Sequence, residues 1–212
     1  RGRPCGSFGD VAVFSLHARK CITCGEGGVL TTDNQPVAQR ARHSACFGME
    51  TAFARQSANA LPVPVFSDLG YNYKLSDMLA AIASVQLSKL DGFTRRRRTI
   101  AARYAKMLAE VPGILAPSVP GDRIPTWQTY AVAVQEPLDR DAIAGALRAM
   151  GIGCNIGTYA LHRQDVYGPA VRECPVSDRL FRRHLALPMY PDLTDTEQDR
   201  VVETLGKIVR NQ

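Results

Sequence analysis

Lys20 lies between two hydroxyl residues, Ser15 and Thr23, in the stretch SLHARKCITCGEGG, and a glycine-rich turn, Gly25-Glu26-Gly27-Gly28, follows at once. A lysine amine is a poor nucleophile while protonated. Burial or nearby positive charge lowers its pKa, and it can then condense with an aldehyde. The residues leading into it, Asp10 to Ser15 (DVAVFS), form an almost continuous apolar run, the pattern of a strand covered on both faces. Ligands of α/β sheets sit beyond the carboxyl ends of strands, which is where this run delivers Ser15. The glycines let the backbone pass close to a bound group.

Such a set suits pyridoxal phosphate, which needs a lysine for its aldehyde, donors for its phosphate and a carboxylate for its ring nitrogen. Lys20 supplies the first, and Ser15 with nearby backbone N–H groups the second. A lysine near a glycine turn is, taken alone, more often a surface lysine. Cys21-Ile22-Thr23-Cys24 is formally a CxxC, but no second pair or suitably spaced histidine completes a tetrahedral metal site. A thioredoxin-like context is also absent. The two cysteines read as small buried thiols, and no metal is expected.

The elements that must hold these residues follow from periodicity and caps. Val29 to Thr32 reads as a second strand, and Pro36 to Arg42 as a helix capped by Asp33 or Asn34. From Phe47 to Tyr73 prolines, glycine and polar residues describe a long irregular connection, of a length that is usually functional or disordered. Ser76 caps a helix, with Asp77 in its first turn. Met78, Leu79, Ile82, Val85, Gln86 and Leu90 carry the pattern to Gly92, where a kink or break is expected. A second helical segment spans about Thr94 to Glu110. Beyond Pro112-Gly113 the expectations are a strand at Thr126–Gln135, a helix from the Asp139 cap to Met150, and a strand at Ile152–Ile156. A short helix at Val176–Leu185 and a closing helix behind the capping box Thr194-Asp195-Thr196-Glu197 complete the chain. The division expected is a large-domain part over 1–111 and a small α/β domain over 112–212.

With 45% hydrophobic and 22% charged residues in 212, the composition is that of an ordinary globular protein. No apolar stretch is long enough to span a bilayer. There is no basic-then-apolar leader, and six cysteines are too few for a disulfide scaffold, so a cytoplasmic location is expected. The net charge of +6 and the run Arg95-Arg96-Arg97-Arg98 invite a nucleic-acid reading. The run, however, sits in a helical pattern with Ile100, Tyr104 and Leu108, without interleaved aromatics. It reads as a solvated face, and no nucleic-acid partner is expected.

Several segments together resemble one family. FGDVAVFSLHARKCITCGEGG is similar to the cofactor-lysine segment of the DegT/DnrJ/EryC1/StrS family of pyridoxal-phosphate-dependent sugar aminotransferases. Asp68-Leu69-Gly70-Tyr71-Asn72-Tyr73-Lys74-Leu75-Ser76-Asp77 resembles that family's second signature, followed by its helix. GIGCNIGTYALHRQDVY and LALPMYPDLTDTEQDRVVETL resemble its C-terminal domain, in the same order. The resemblance implies an α/β fold, the C-terminal part of an aspartate-aminotransferase-like (fold type I) enzyme: an incomplete large-domain sheet plus a small C-terminal α/β domain. It makes Lys20 the internal-aldimine lysine and later proton shuttle, and gives Ser15 a hydrogen bond to the cofactor phosphate. Asn72 would reach the phosphate held by the neighbouring subunit of a homodimer. His17 would lie near the site, or else be a packed, hydrogen-bonded histidine. His162 is a candidate for the substrate side, or else a structural loop residue.

The implied reaction transfers an amino group, from glutamate as usual donor, to a nucleotide-linked keto-deoxysugar, placing the enzyme in nucleotide-sugar biosynthesis. Product use in a cell-surface polysaccharide or a secondary metabolite stays open. Family members that dehydrate the sugar carry histidine where Lys20 stands, so lysine favours transamination. One departure is large: the family's ring-nitrogen aspartate, ring-stacking residue and phosphate-holding glycine turn precede the lysine segment, and only nineteen residues precede it here. Asp10 belongs to the Phe-Gly-Asp lead-in. The expectation is a C-terminal portion, inactive alone, with open sheet edges and exposed apolar faces. The alternative is a non-catalytic remnant of the same fold.

Overall fold

The computed structural model describes residues 2–50, 64–168 and 173–212. The chain divides into two compact units, Arg1–Leu90 and Asp91–Gln212.

In the first unit, β1 (Ala12–Ser15) and β2 (Gly28–Thr31) pair antiparallel, with Ala12 opposite Thr31 and Ser15 opposite Gly28. Helix α1 (Gln35–Ala45) begins at Asn34, whose side chain accepts from the Val37 N–H, and Pro36 sits in its first turn. Asn34 is therefore the cap, one of the two residues expected for it. Contrary to the reading of DVAVFS as a strand covered on both faces, β1 is bare. Val13 is 74% exposed, and neither strand holds a buried residue. The apolar run demands a cover that its one sheet neighbour does not supply, so the expected exposed apolar faces are what is observed.

Helix α2 (Asp77–Leu108) is a single helix. The break expected at Gly92 does not occur: nothing crowds Gly92, and the helical runs on either side of it are long enough to carry it. One glycine costs about 1 kcal/mol in a helix of this length. Ser76 caps it through its side-chain oxygen, 3.4 Å from the Leu79 N–H. Its early apolar positions, Met78, Ile82 and Val85, are exposed, whereas Ile100, Ala101, Tyr104 and Leu108 are buried in the second unit's core.

That core forms on an antiparallel sheet ordered β3-β4-β6-β5, made of Ile114–Leu115, Tyr130–Val134, His184–Leu187 and Asn155–Ile156. Tyr130, Val132 and Val134 alternate inward along β4 and meet Leu185 and Leu187 of β6. Helix α3 (Arg140–Ala149), capped by Asp139, packs against α5 (Asp195–Arg210). The capping box that opens α5 is complete, with Thr194 and Glu197 bonding reciprocally. The helix expected at Val176–Leu185 is α4, Pro175–Arg183, and Leu185 belongs instead to β6. Four alternating residues directly after a helix are too short a pattern to separate from its last turn.

The arginine run departs most from expectation. Arg97 is 7% exposed and donates from Nη1 to the carbonyls of Met189 (2.8 Å), Trp127 (3.0 Å) and Gln128 (3.4 Å). Arg96 donates to the carbonyls of Leu193 and Pro191, and Arg98 to that of Pro125. Arg96 and Arg97 thus bind loop carbonyls that no strand partner satisfies and act as backbone anchors, whereas Arg95 and Arg98 are exposed, as a solvated face requires.

Candidate active site

Lys20 rides on a closed loop whose neck is the backbone of Leu16, a buried residue. The Leu16 N–H donates to the Gly27 carbonyl at 2.8 Å, and its carbonyl accepts from the Cys24 N–H at 3.2 Å. The same carbonyl accepts the Thr23 hydroxyl at 2.8 Å, while the Gly25 N–H donates to that hydroxyl oxygen at 2.9 Å. Inside the loop the Lys20 N–H donates to the His17 carbonyl at 2.9 Å, folding the chain back just after β1. Among the described residues the half-buried Lys20 amine makes no hydrogen bond or ion pair.

Ser15 stands at the carboxyl end of β1, its Oγ accepting from the His17 N–H at 3.3 Å. His17 Nδ1 accepts from the Arg19 N–H at 3.2 Å. A neutral ring then carries its proton on Nε2, which lies 3.5 Å from Glu26 Oε1. His17 thus lies within the lysine loop, hydrogen-bonded and partly exposed. Cys24 is buried and its thiol donates to the Glu26 carbonyl, while Cys21 is only half-buried. One of the two thiols expected to be buried is therefore not.

The Asn72 segment is fastened to the end of α1. Asn72 bridges to Cys46, the Phe47 N–H donates to the Tyr71 carbonyl, and the Tyr73 N–H to the Ala45 carbonyl, both at 2.9 Å. Two glycines make this approach possible: a Cβ on Gly48, at φ +71°, would sit 2.0 Å from the Asp68 carbonyl oxygen, and one on Gly70 1.9 Å from the Gly48 nitrogen. Much of the Phe47–Tyr73 connection, residues 51–63, lies outside the described residues. Asn72 is exposed and accepts from the Lys74 ammonium, which stands 3.6 Å over the Phe47 ring. Just beyond it, Leu75 packs at the glycine turn: a Cβ on Gly27 would lie 3.2 Å from Leu75 Cδ1 and 3.1 Å from Cys24 Sγ. The lysine loop and the Asn72 segment therefore meet at their bases within one unit.

His162 lies in the second unit, in a 3₁₀ turn at Leu161–Arg163. Its Nε2 is 3.7 Å from Asp178 Oδ1, a carboxylate that also pairs with Arg163 and Arg182. Ser15, His17 and Lys20 thus share one turn, Asn72 belongs to the same unit, and His162 is held in a separate ion-pair cluster. Among the described residues, no cluster of histidine, cysteine and carboxylates is arranged to hold a metal ion, and no helix is long and apolar enough to cross a membrane.

The lysine loop fits two ends of pyridoxal phosphate. It offers an amine without a partner for an aldehyde, and for a phosphate a strand-end hydroxyl whose proton has no acceptor among the described residues. In the glycine turn, Gly25 faces open space, whereas Gly27 is packed against Cys24 and Leu75. Asp10, the one acid before Lys20, is exposed, and among the described residues its carboxylate makes no bond to the lysine loop.

The sequence profile of the DegT/DnrJ/EryC1/StrS aminotransferase family matches residues 1–206. This chain belongs to that family. Its aminotransferases depend on pyridoxal phosphate. Among solved structures, the aminotransferase TlmJ from Streptoalloteichus hindustanus is 31% identical, with a TM-score of 0.88 over 99% of this chain and 55% of its own. DesV from S. venezuelae is 28% identical, with a TM-score of 0.83 over 97% of this chain and 53% of its own. The sugar aminotransferase CalS13 from Micromonospora echinospora is also 28% identical, with a TM-score of 0.83 over 98% and 54%. The fold is that of these mixed α/β enzymes, and the chain spans about half the length of each.

Proposed function

We propose that this chain is the C-terminal portion of a pyridoxal-phosphate-dependent sugar aminotransferase, with the large-domain part ending near residue 111 and a small domain over 112–212. The enzyme passes an amino group from an amino-acid donor, glutamate, to a nucleotide-linked keto-deoxysugar. The observation that carries the reading is Lys20: an amine with no partner among the described residues, on a hydrogen-bonded loop at the carboxyl end of β1, where Ser15 stands. The cofactor, when bound, supplies an aldehyde that an amine can hold and a ring that withdraws electrons from the carbon losing its proton.

Every other task falls to side chains. Lys20 Nζ holds the aldehyde end and later carries a proton between donor and acceptor carbons. Ser15 Oγ–H binds and orients the phosphate, and the glycine turn that follows the loop lets the backbone pass close to it. Asn72, exposed on its own chain, extends to the phosphate held by the partner in a homodimer. His162 serves the sugar side. The bare faces of β1 and β2 support the reading as a portion, because a strand pattern this apolar matches a sheet covered on both sides. A lysine at position 20 disfavours dehydration, which in this family goes with histidine there. The portion alone is expected to be inactive, since in this family the ring-nitrogen aspartate precedes the lysine segment and Asp10 belongs to the Phe-Gly-Asp lead-in.

Mixing the chain with pyridoxal phosphate, reducing with borohydride and mapping the product by mass spectrometry tests the central claim. The expected result is a label concentrated on Lys20 over Lys74, Lys89, Lys106 and Lys207, and lost in Lys20→Arg. Label spread evenly over these lysines, in the chain alone and again with an N-terminal half supplied, would overturn it.

A further inference from the structure

Thr23 carries no role in the reading above, yet its hydroxyl makes the two shortest side-chain bonds of the lysine loop. It donates to the Leu16 carbonyl at 2.8 Å and accepts from the Gly25 N–H at 2.9 Å. Leu16 follows Ser15 directly, and Gly25 opens the glycine turn, so one side-chain oxygen ties the phosphate end of the loop to the turn. The Leu16 carbonyl, which also takes the Cys24 N–H at 3.2 Å, is thereby saturated on both lone pairs. The Leu16 N–H, on the Gly27 carbonyl, closes the ring from the other side. Lys20 stands in the middle of this ring, four residues after Leu16 and three before Thr23. Its one backbone bond, to the His17 carbonyl, is made within the loop. Among the described residues no other side-chain bond of the loop is as short: the Cys24 thiol lies 3.3 Å from the Glu26 carbonyl, and the exposed His17–Glu26 pair is wider, at 3.5 Å. Exposed pairs of that kind contribute little.

We infer that Thr23 is the positioning residue of the cofactor lysine: its hydroxyl braces the Leu16–Gly25 neck and so fixes where the Lys20 amine stands relative to Ser15. The inference rests on the Lys20 reading above and deepens it. Valine, which keeps the branched shape but neither donor nor acceptor, opens the neck. Serine, which keeps the hydroxyl, leaves it shut.

Hydrogen–deuterium exchange and borohydride labelling of wild type, Thr23→Val and Thr23→Ser separate the outcomes. In Thr23→Val the Gly25 and Cys24 amides are expected to exchange about tenfold faster, the order of one lost hydrogen bond. Amides of α5 keep their wild-type rates, and the fraction of label at Lys20 relative to Lys89 and Lys207 falls severalfold. Thr23→Ser restores both. Unchanged exchange at Gly25 in the valine variant overturns the brace, as does a serine variant that behaves like valine. Lost Lys20 selectivity without faster exchange overturns it equally. Exchange needs no cofactor, so wild type that fails to label Lys20, alone and with an N-terminal half supplied, counts against the aminotransferase reading, while the brace is decided by its amides.

Discussion

Replacing Arg97 by methionine is the sharpest test of how the second unit is held. The side chain is nearly fully buried and its guanidinium bonds three carbonyls, at 2.8, 3.0 and 3.4 Å. The two shorter bonds have charged donors, worth about 1.5–3 kcal/mol each against unmade carbonyls. Part of that is offset because the wild type removes a cation from water and the variant does not. Methionine fills a similar volume, so cavity formation adds little. The net loss is about 3 kcal/mol, which at a urea slope of about 2 kcal/mol/M lowers the midpoint by roughly 1.5 M. The chain's one tryptophan, Trp127, lends its own carbonyl to Arg97 and reports the transition by fluorescence. Arg98→Met is the control: it is exposed and bonds one carbonyl, Pro125, at 3.2 Å, so a change within about 0.5 kcal/mol is expected. Equal shifts for the two variants, or less than about 0.5 M for Arg97→Met, would refute the anchoring role and restore the solvated face.

Two further outcomes follow from local geometry. The backbone N–H groups of Ala142 and Asp141 hold the Asp139 carboxyl below the ordinary aspartate range. Its contribution is therefore present above that range and lost as pH falls through the lowered value. Asp139→Asn keeps an acceptor for the cap but does not titrate, so its urea midpoint should fall less steeply between pH 5 and about pH 2 than that of wild type. Gly48→Ala forces a side chain into the left-handed region and against the Asp68 carbonyl, a strain on the order of 2 kcal/mol. Faster exchange of the Phe47 and Tyr73 amides is expected, because those bonds fasten the Asn72 segment; wild-type rates there would show that the close approach of Gly48 and Gly70 is not what holds it.

Local signals were legible where one residue type does one job. Asn34, Ser76, Asp139 and Thr194 each cap the helix that follows, because a short oxygen side chain before an amphipathic run has few other uses. The lysine loop was legible in kind: its amine, hydroxyl and glycines are ordered along fourteen consecutive residues, 15–28, so chain connectivity alone brings them together. The family followed from the same order of motifs.

What the sequence left undetermined needed partners distant along the chain. Periodicity along α2 does not reveal that Ile100 and Tyr104 are covered while Met78 and Ile82 are not, since cover comes from other elements. Arg97 looked solvated because charge predicts exposure on average. Only the arrival of the Trp127 and Met189 carbonyls, 30 and 92 residues away, makes burial of a guanidinium favourable. Four residues at His184–Leu187 became a strand because Tyr130–Val134 offered a paired edge. Sequence by itself determined which chemical groups this protein carries and which local turns hold them. Tertiary structure decided which of those groups lose their water, because burial is a property of the neighbours and not of the residue.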